Sequence, residues 1–160
     1  CNAFGPPDAW ATDDHPGSAP CDYERMRAQI RELRDAGYLP IVTLQYEETY
    51  QYLPTPQQIL DFRALAEAGA VVVQGSQAHQ PQAIEIYGGT FIHYGLGNLF
   101  FDQMWSLGTR QEFVDRLVFY DGRLLGVELR TAMLEEYARP RPMTDQERRD
   151  FLSLIFSLKP

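Results

Sequence analysis

The spacing of apolar and polar positions divides the chain into an irregular opening and a series of bounded elements. Residues 1–21 carry Pro6, Pro7, Pro16 and Pro20 without a sustained apolar period, which reads as loop. Tyr23, Met26, Ile30 and Leu33 then recur at helical spacing behind Asp22 as a cap. They predict a helix to about Ala36, stopped by Gly37. Leu39–Gln45 is a short apolar run and predicts a buried strand. Thr55-Pro56-Gln57-Gln58 is a helix start, with Thr55 as cap and Pro56 at the first helical position. That helix runs to Ala68 before Gly69, and Ala70–Gln74 follows as a second buried strand. Strand, helix and strand with short joins predict a right-handed parallel βαβ unit.

The pattern changes downstream. Gln82–Tyr87 and Thr90–Tyr94 flank Gly88-Gly89, and Phe113–Tyr120 and Arg123–Thr131 flank Asp121-Gly122, so two antiparallel hairpins are expected. Pro140 and Pro142 close that section. Thr144-Asp145-Gln146-Glu147 is a capping box opening a last helix, with Phe151, Leu152, Ile155 and Leu158 on its apolar side. The whole reads as a single α/β domain over residues 1–160 with a mixed sheet, a βαβ unit, antiparallel hairpins and a C-terminal helix.

Composition narrows the class of function. A net charge of −8 argues against nucleic acid as partner and against any polyanion held by simple Coulomb attraction. No apolar run is long enough to span a membrane. No nucleotide loop, dinucleotide fingerprint, nucleophile elbow, zinc-finger spacing or catalytic Cys-His pair is present. Cys1 and Cys21 are the two cysteines. A bond between them would close about 20 residues of loop, contribute about 3 kcal/mol in the chain-entropy model and indicate an extracytoplasmic location. Two unrelated thiols, or Cys1 as the lipid-bearing residue of a lipoprotein, are the alternatives. A chain that opens on Cys1 rather than Met is expected to be a processed or excised piece.

Five ordered blocks carry a resemblance. They are Gln45-Tyr46-Glu47-Glu48-Thr49-Tyr50, Leu53-Pro54-Thr55-Pro56, Gly75-Ser76-Gln77-Ala78-His79, Ile84-Glu85-Ile86-Tyr87-Gly88, and Tyr94-Gly95-Leu96-Gly97-Asn98-Leu99-Phe100-Phe101-Asp102. Together they resemble the second half of CapA-type capsule synthesis proteins of poly-γ-glutamate biosynthesis. The resemblance implies a metallophosphatase-like (calcineurin-like) half-domain whose N-terminal half lies outside this chain. It also implies a two-metal centre at strand ends, work on a surface polymer or small-molecule substrate, and a cell-surface or membrane-associated parent protein.

At the metal positions the sequence departs from that pattern. The family's histidines fall on 45, 77 and 79, where this chain has Gln45, Gln77 and His79. A neutral amide oxygen is a poor ligand for Zn or Mn, and two-metal hydrolysis needs both ions fixed about 4 Å apart. Two readings follow. Either the site is dismantled and binds without turnover, or Gln45, Gln77 and Glu47 or Glu48, with carboxylates from the missing half, hold a harder ion such as Mg or Ca; His79, Gln45 and Gln77 are the degenerate metal positions, where a divalent Mn, Mg or Zn ion is the candidate cofactor.

His79 is the leading candidate for a catalytic or contact role. Gln45, Gln77, Glu47, Glu48, Asn98 and Tyr46 are candidate substrate contacts. Gln74, Gln77, Gln80 and Gln82 make an amide-rich loop suited to hydroxyls or peptide amides of a polymer. His93 reads as structural, His15 as solvated, and Arg139, Arg141, Arg148 and Arg149 as a solvated basic group. Expected partners are the polymer and either the missing half-domain or another copy of the chain.

Overall fold

The computed structural model describes residues 1–160. Two sheets carry the chain. The first has strand order β1-β2-β4-β3, built from β1 (Ile41–Thr49), β2 (Val72–Ala78), β3 (Ile84–Tyr87) and β4 (Thr90–His93). β1, β2 and β4 run parallel and β3 is antiparallel to β4. The second sheet is antiparallel, in the order β5 (Gln111–Tyr120), β6 (Arg123–Glu135), β7 (Arg139–Pro142). The second hairpin therefore forms its own sheet.

Three helices complete the layers: α1 (Tyr23–Asp35), α2 (Pro56–Glu67) and α3 (Asp145–Ser157). Each begins where the sequence supplies a cap. Asp22, Thr55 and Thr144 accept from the amides of Arg25, Gln58 and Glu147, and Thr144 and Glu147 close a reciprocal capping box. α2 joins β1 to β2 and buries Phe62 and Leu65 against Leu44, Val73, Ile92 and Tyr94, the core of the first sheet. α3 buries Phe151 and Ile155 against Phe113, Met133 and Met143 of the second. Gly75 in β2 has no room for a side chain, since a Cβ there would stand 2.1 Å from Tyr94 O.

A buried polar clamp joins the two sheets. His93 Nδ1 lies 2.6 Å from Asp115 Oδ2, and Gln74 Nε2 donates to the same oxygen at 3.1 Å. Both members of the His93–Asp115 pair are withdrawn from solvent, which makes His93 a structural residue.

Two readings of the C-terminal section need correcting. The prolines at 140 and 142 do not end the sheet. They lie within β7, paired with Leu134 and Ala132. β7 is an edge strand, where a missing N–H costs no ladder bond. Nor is the arginine group simply solvated. Arg141 is forked between Glu135 and Glu147, and Arg148 donates to Leu129 O and Thr131 Oγ1.

Candidate functional site

The C-terminal tip of β2 and the turn from Gly97 to Phe101 line a shallow cleft, and the tip of β1 pairs beside it. The ladder of β1 and β2 stays in register to Gln45↔Ser76 and resumes at Thr49↔Ala78, so Tyr46, Glu47 and Glu48 stand opposite Gln77 alone. Gln77 takes φ +84°, a left-handed conformation uncommon for a residue with a side chain. Bulges of this kind re-aim side chains at strand ends. Across the tip, Gln45 Nε2 donates to Gln77 Oε1 at 2.8 Å. Gln45 Oε1 accepts from Asn2 Nδ2 at 3.3 Å.

His79, just past the end of β2, is the centre of a closed polar circuit. Its Nδ1 lies 2.8 Å from Asn98 Oδ1. Asn98 Nδ2 donates to Gln103 Oε1 and Thr109 O, which leaves Oδ1 as acceptor and makes His79 Nδ1 the donor. Gln103 Nε2 donates to the Tyr50 hydroxyl, and that hydroxyl donates to Glu48 Oε1, both at 3.0 Å. Glu48 Oε1 returns to within 3.7 Å of His79 Nε2. Tyr50 stacks on the imidazole with centroids 5.1 Å apart, and Phe101 lies against it at the same distance. The ring is thus held by Asn98 and faced by two aromatics, and its Nε2 makes no hydrogen bond, with Glu48 Oε1 3.7 Å away. Gln77, His79, Asn98 and Phe101 line a shallow pocket of about 230 Å³.

Other candidates are placed elsewhere. Tyr46 is a correction: it points into the core, 2% exposed, with its hydroxyl donating to Asp61 Oδ2 at 2.6 Å. Neighbouring residues on a strand face opposite ways, so a cleft-facing Gln45 puts Tyr46 inside. Burial and the Asp61 hydrogen bond push its phenol far above the ordinary range. Glu47 makes no hydrogen bond or ion pair and lies near enough to Tyr46 for its charge to add to that shift. Glu48 is the carboxylate in the circuit.

The glutamine loop divides. Gln74 serves the Asp115 clamp. Gln82 is fully buried, accepting from Gln58 and donating to Leu53 O. Gln80 packs on Gly108. Only Gln77 of the four faces the cleft. Asp102 is exposed and its side chain bonds nothing, whereas its neighbour Gln103, which no motif marks, closes the circuit.

The donor set does not suit a two-metal centre. Both amide oxygens that could serve as ligands, those of Gln45 and Gln77, are already acceptors of hydrogen bonds. His79 Nε2 and Glu48 remain as the two strong donors that this chain itself brings to the site, and no group of three His, Cys, Asp or Glu side chains lies together within it.

The mixed α/β architecture, with its site at the tips of parallel strands, is metallophosphatase-like, as is the family that the sequence matches. Residues 2–103 match the family model described as "Bacterial capsule synthesis protein PGA_cap". The chain belongs to that family. It is 34% identical over 96 residues to the "PGA biosynthesis protein CapA" of Bacillus subtilis (strain 168), covering 60% of this chain and 25% of the relative. It is 32% identical over 102 residues to the "Capsule biosynthesis protein CapA" of Bacillus anthracis, covering 61% and 25%. A "Probable polyglutamine synthesis accessory protein" of Mycobacterium tuberculosis is 30% identical over 121 residues, covering 71% and 32%. The chain thus spans about a quarter of the length of the first two relatives.

Cys1 and Cys21 are bonded to each other. No helix is long and apolar enough to cross a membrane.

Proposed function

We propose that this chain is the C-terminal part of a cell-surface protein acting in capsule or exopolymer biosynthesis on a poly-γ-glutamate-like polymer, and that its cleft binds the polymer through amides and one imidazole without two-metal hydrolysis. The observation that carries this reading is the Gln45–Gln77 hydrogen bond at positions where the family has imidazoles. Two metal ligands have become a self-satisfied amide pair, while His79 keeps a fixed tautomer and a free nitrogen. The Nε2 of Gln77, which the pair leaves over, the Nε2 of His79 and the faces of Tyr50 and Phe101 suit a peptide-like chain. A pocket of about 230 Å³ suits one repeat unit better than a drug-sized ligand. Because the domain is acidic, recognition rests on hydrogen bonding rather than on net charge. The Cys1–Cys21 bond supports an extracytoplasmic location.

A second reading has one observation in its favour. Glu48 and His79 Nε2 stand 3.7 Å apart at the mouth of the cleft, and with carboxylates from outside this chain they would make part of a single-ion site for a hydrolase.

Titration of the labelled protein with poly-γ-glutamate oligomers, followed by NMR, tests the proposal. Shifts centred on Gln77, His79 and Asn98, with affinity only weakly dependent on salt, are the expected result. Shifts confined to the arginines of β6 and β7, or none, would overturn it.

A further inference from the structure

Asn2 stands behind the amide pair of the cleft. It lies in the Cys1–Ala3 row, which runs beside β1: Gln45 N–H donates to Cys1 O and Gln45 O accepts from Ala3 N–H, each at 2.8 Å. The row sets Asn2 next to Gln45 and buries it. Asn2 Oδ1 accepts from the backbone N–H of Gly5 at 2.6 Å. A backbone N–H can only donate, so the oxygen of this amide faces Gly5 and its nitrogen faces Gln45. Asn2 Nδ2 donates to Gln45 Oε1 at 3.3 Å, and Gln45 Nε2 donates to Gln77 Oε1 at 2.8 Å. Three amides thus run head to tail from Gly5 to the cleft. The group left over at the end is Gln77 Nε2, a donor.

A second chain reaches the same pocket with the opposite sense. The carbonyl of Thr109 can only accept, so it turns Asn98 Nδ2 toward itself and Asn98 Oδ1 toward His79. His79 Nδ1 carries the proton, and the neutral ring ends on a bare Nε2, an acceptor. Gln77 and His79 line one pocket. That pocket offers one donor and one acceptor, each fixed by a backbone group at the far end of its chain. No Lys or Arg lines it, and Glu48 Oε1 stands 3.7 Å from His79 Nε2.

We infer that Asn2 sets the hydrogen-bonding polarity of the cleft, and that the cleft in consequence takes the amide links of the polymer and leaves its carboxylates in solvent. This rests on the polymer reading above and says which part of the polymer is held. Each repeat of a poly-γ-glutamate-like chain offers two polar groups. The links supply a C=O for Gln77 Nε2 and an N–H for His79 Nε2. An ionised carboxylate only accepts. It leaves His79 Nε2 unmatched and meets the charge of Glu48 with no cation in the pocket to offset it. Asn2 acts through Gln45 and Gln77, so it is a positioning residue.

NMR titration with three γ-glutamyl oligomers of equal length tests this: the parent, one whose carboxylates are methyl esters, and one whose links are esters. The methyl-ester oligomer is expected to bind at least as tightly as the parent, and the link-ester oligomer about tenfold more weakly. Asn2→Asp keeps the Gly5 bond but can only accept from Gln45, which turns both glutamines over and leaves Gln77 Oε1 in the cleft. It is expected to weaken binding of the uncharged methyl-ester oligomer about tenfold and to slow hydrogen exchange of the Gln77 side-chain amide, now bonded to Gln45; general loosening would speed that exchange. Gln77→Glu puts an oxygen at the same point without touching the buried row, and the same loss is expected. Equal affinity for the parent and link-ester oligomers, weaker binding of the methyl-ester oligomer alone, undiminished binding by Gln77→Glu, or an unslowed Gln77 amide in folded Asn2→Asp would overturn the inference and leave the polymer reading standing. Absence of binding by all three oligomers would overturn both.

Discussion

Asn98 Oδ1 stands 2.8 Å from His79 Nδ1 and can only accept, because the amide nitrogen of Asn98 is committed to Gln103 and Thr109. One asparagine thus fixes both the tautomer and the plane of the imidazole at the centre of the cleft. Asn98→Ala releases that constraint. Its effect is read from the His79 ring nitrogens by NMR: the native chain shows Nδ1 protonated and Nε2 bare when neutral, and the variant a mixture. Polymer affinity is expected to fall about tenfold, the equivalent of one hydrogen bond.

Tyr46 supplies the contrast. It lies beside Gln45 in sequence but faces the core and Asp61. Tyr46→Phe removes a hydrogen bond to a carboxylate and is expected to cost about 2 kcal/mol in urea unfolding while leaving polymer binding unchanged. A binding defect at native stability would return Tyr46 to the cleft.

Glu112 is buried, and neither of its carboxylate oxygens has a partner. Burial pushes its carboxyl from 4.5 up to about 7. A group raised in the folded state favours folding while protonated, so its contribution is whole below about pH 4.5 and is lost as pH rises to about 7. Glu112→Gln removes this dependence. The variant is expected to match the native chain at low pH and to exceed its stability above pH 7 by up to about 3 kcal/mol. Parallel stability curves across that window would show that Glu112 is not responsible.

The Cys1–Cys21 bond ties the opening loop to the start of α1 and holds the Cys1–Ala3 row against β1. Cys21→Ser is expected to destabilise the chain by about 3 kcal/mol in the chain-entropy account and to speed exchange of the Ala3 and Gln45 amides first. Unchanged exchange at those two positions would mean that the row holds without the bond.

What the sequence made legible is what short-range chemistry decides. The caps at Asp22, Thr55 and Thr144 and the Gly88-Gly89 and Asp121-Gly122 turns need only a few neighbouring residues, and each lies where the pattern places it. The opposite facing of Gln45 and Tyr46 follows from the strand's period of two, but the sequence reading set both in the cleft and the structure corrects it. The fate of the four loop glutamines was not readable, because it depends on Asp115, Gln58 and Gly108, all distant in sequence. β7 was hidden by its prolines, which only knowledge of an edge position excuses. The role of Gln103 depends on a tyrosine more than fifty residues earlier, and no local signal marks it.

The central claim is that the cleft has exchanged metal affinity for amide hydrogen bonding at Gln45 and Gln77. The direct measurement is the metal content of the purified full-length protein after incubation with Mn, Zn and Mg and dialysis, beside the Gln45→His/Gln77→His variant. The account predicts well below one ion per chain in the native protein and a gain of Zn or Mn in the variant. One or two ions retained by the native protein would contradict it.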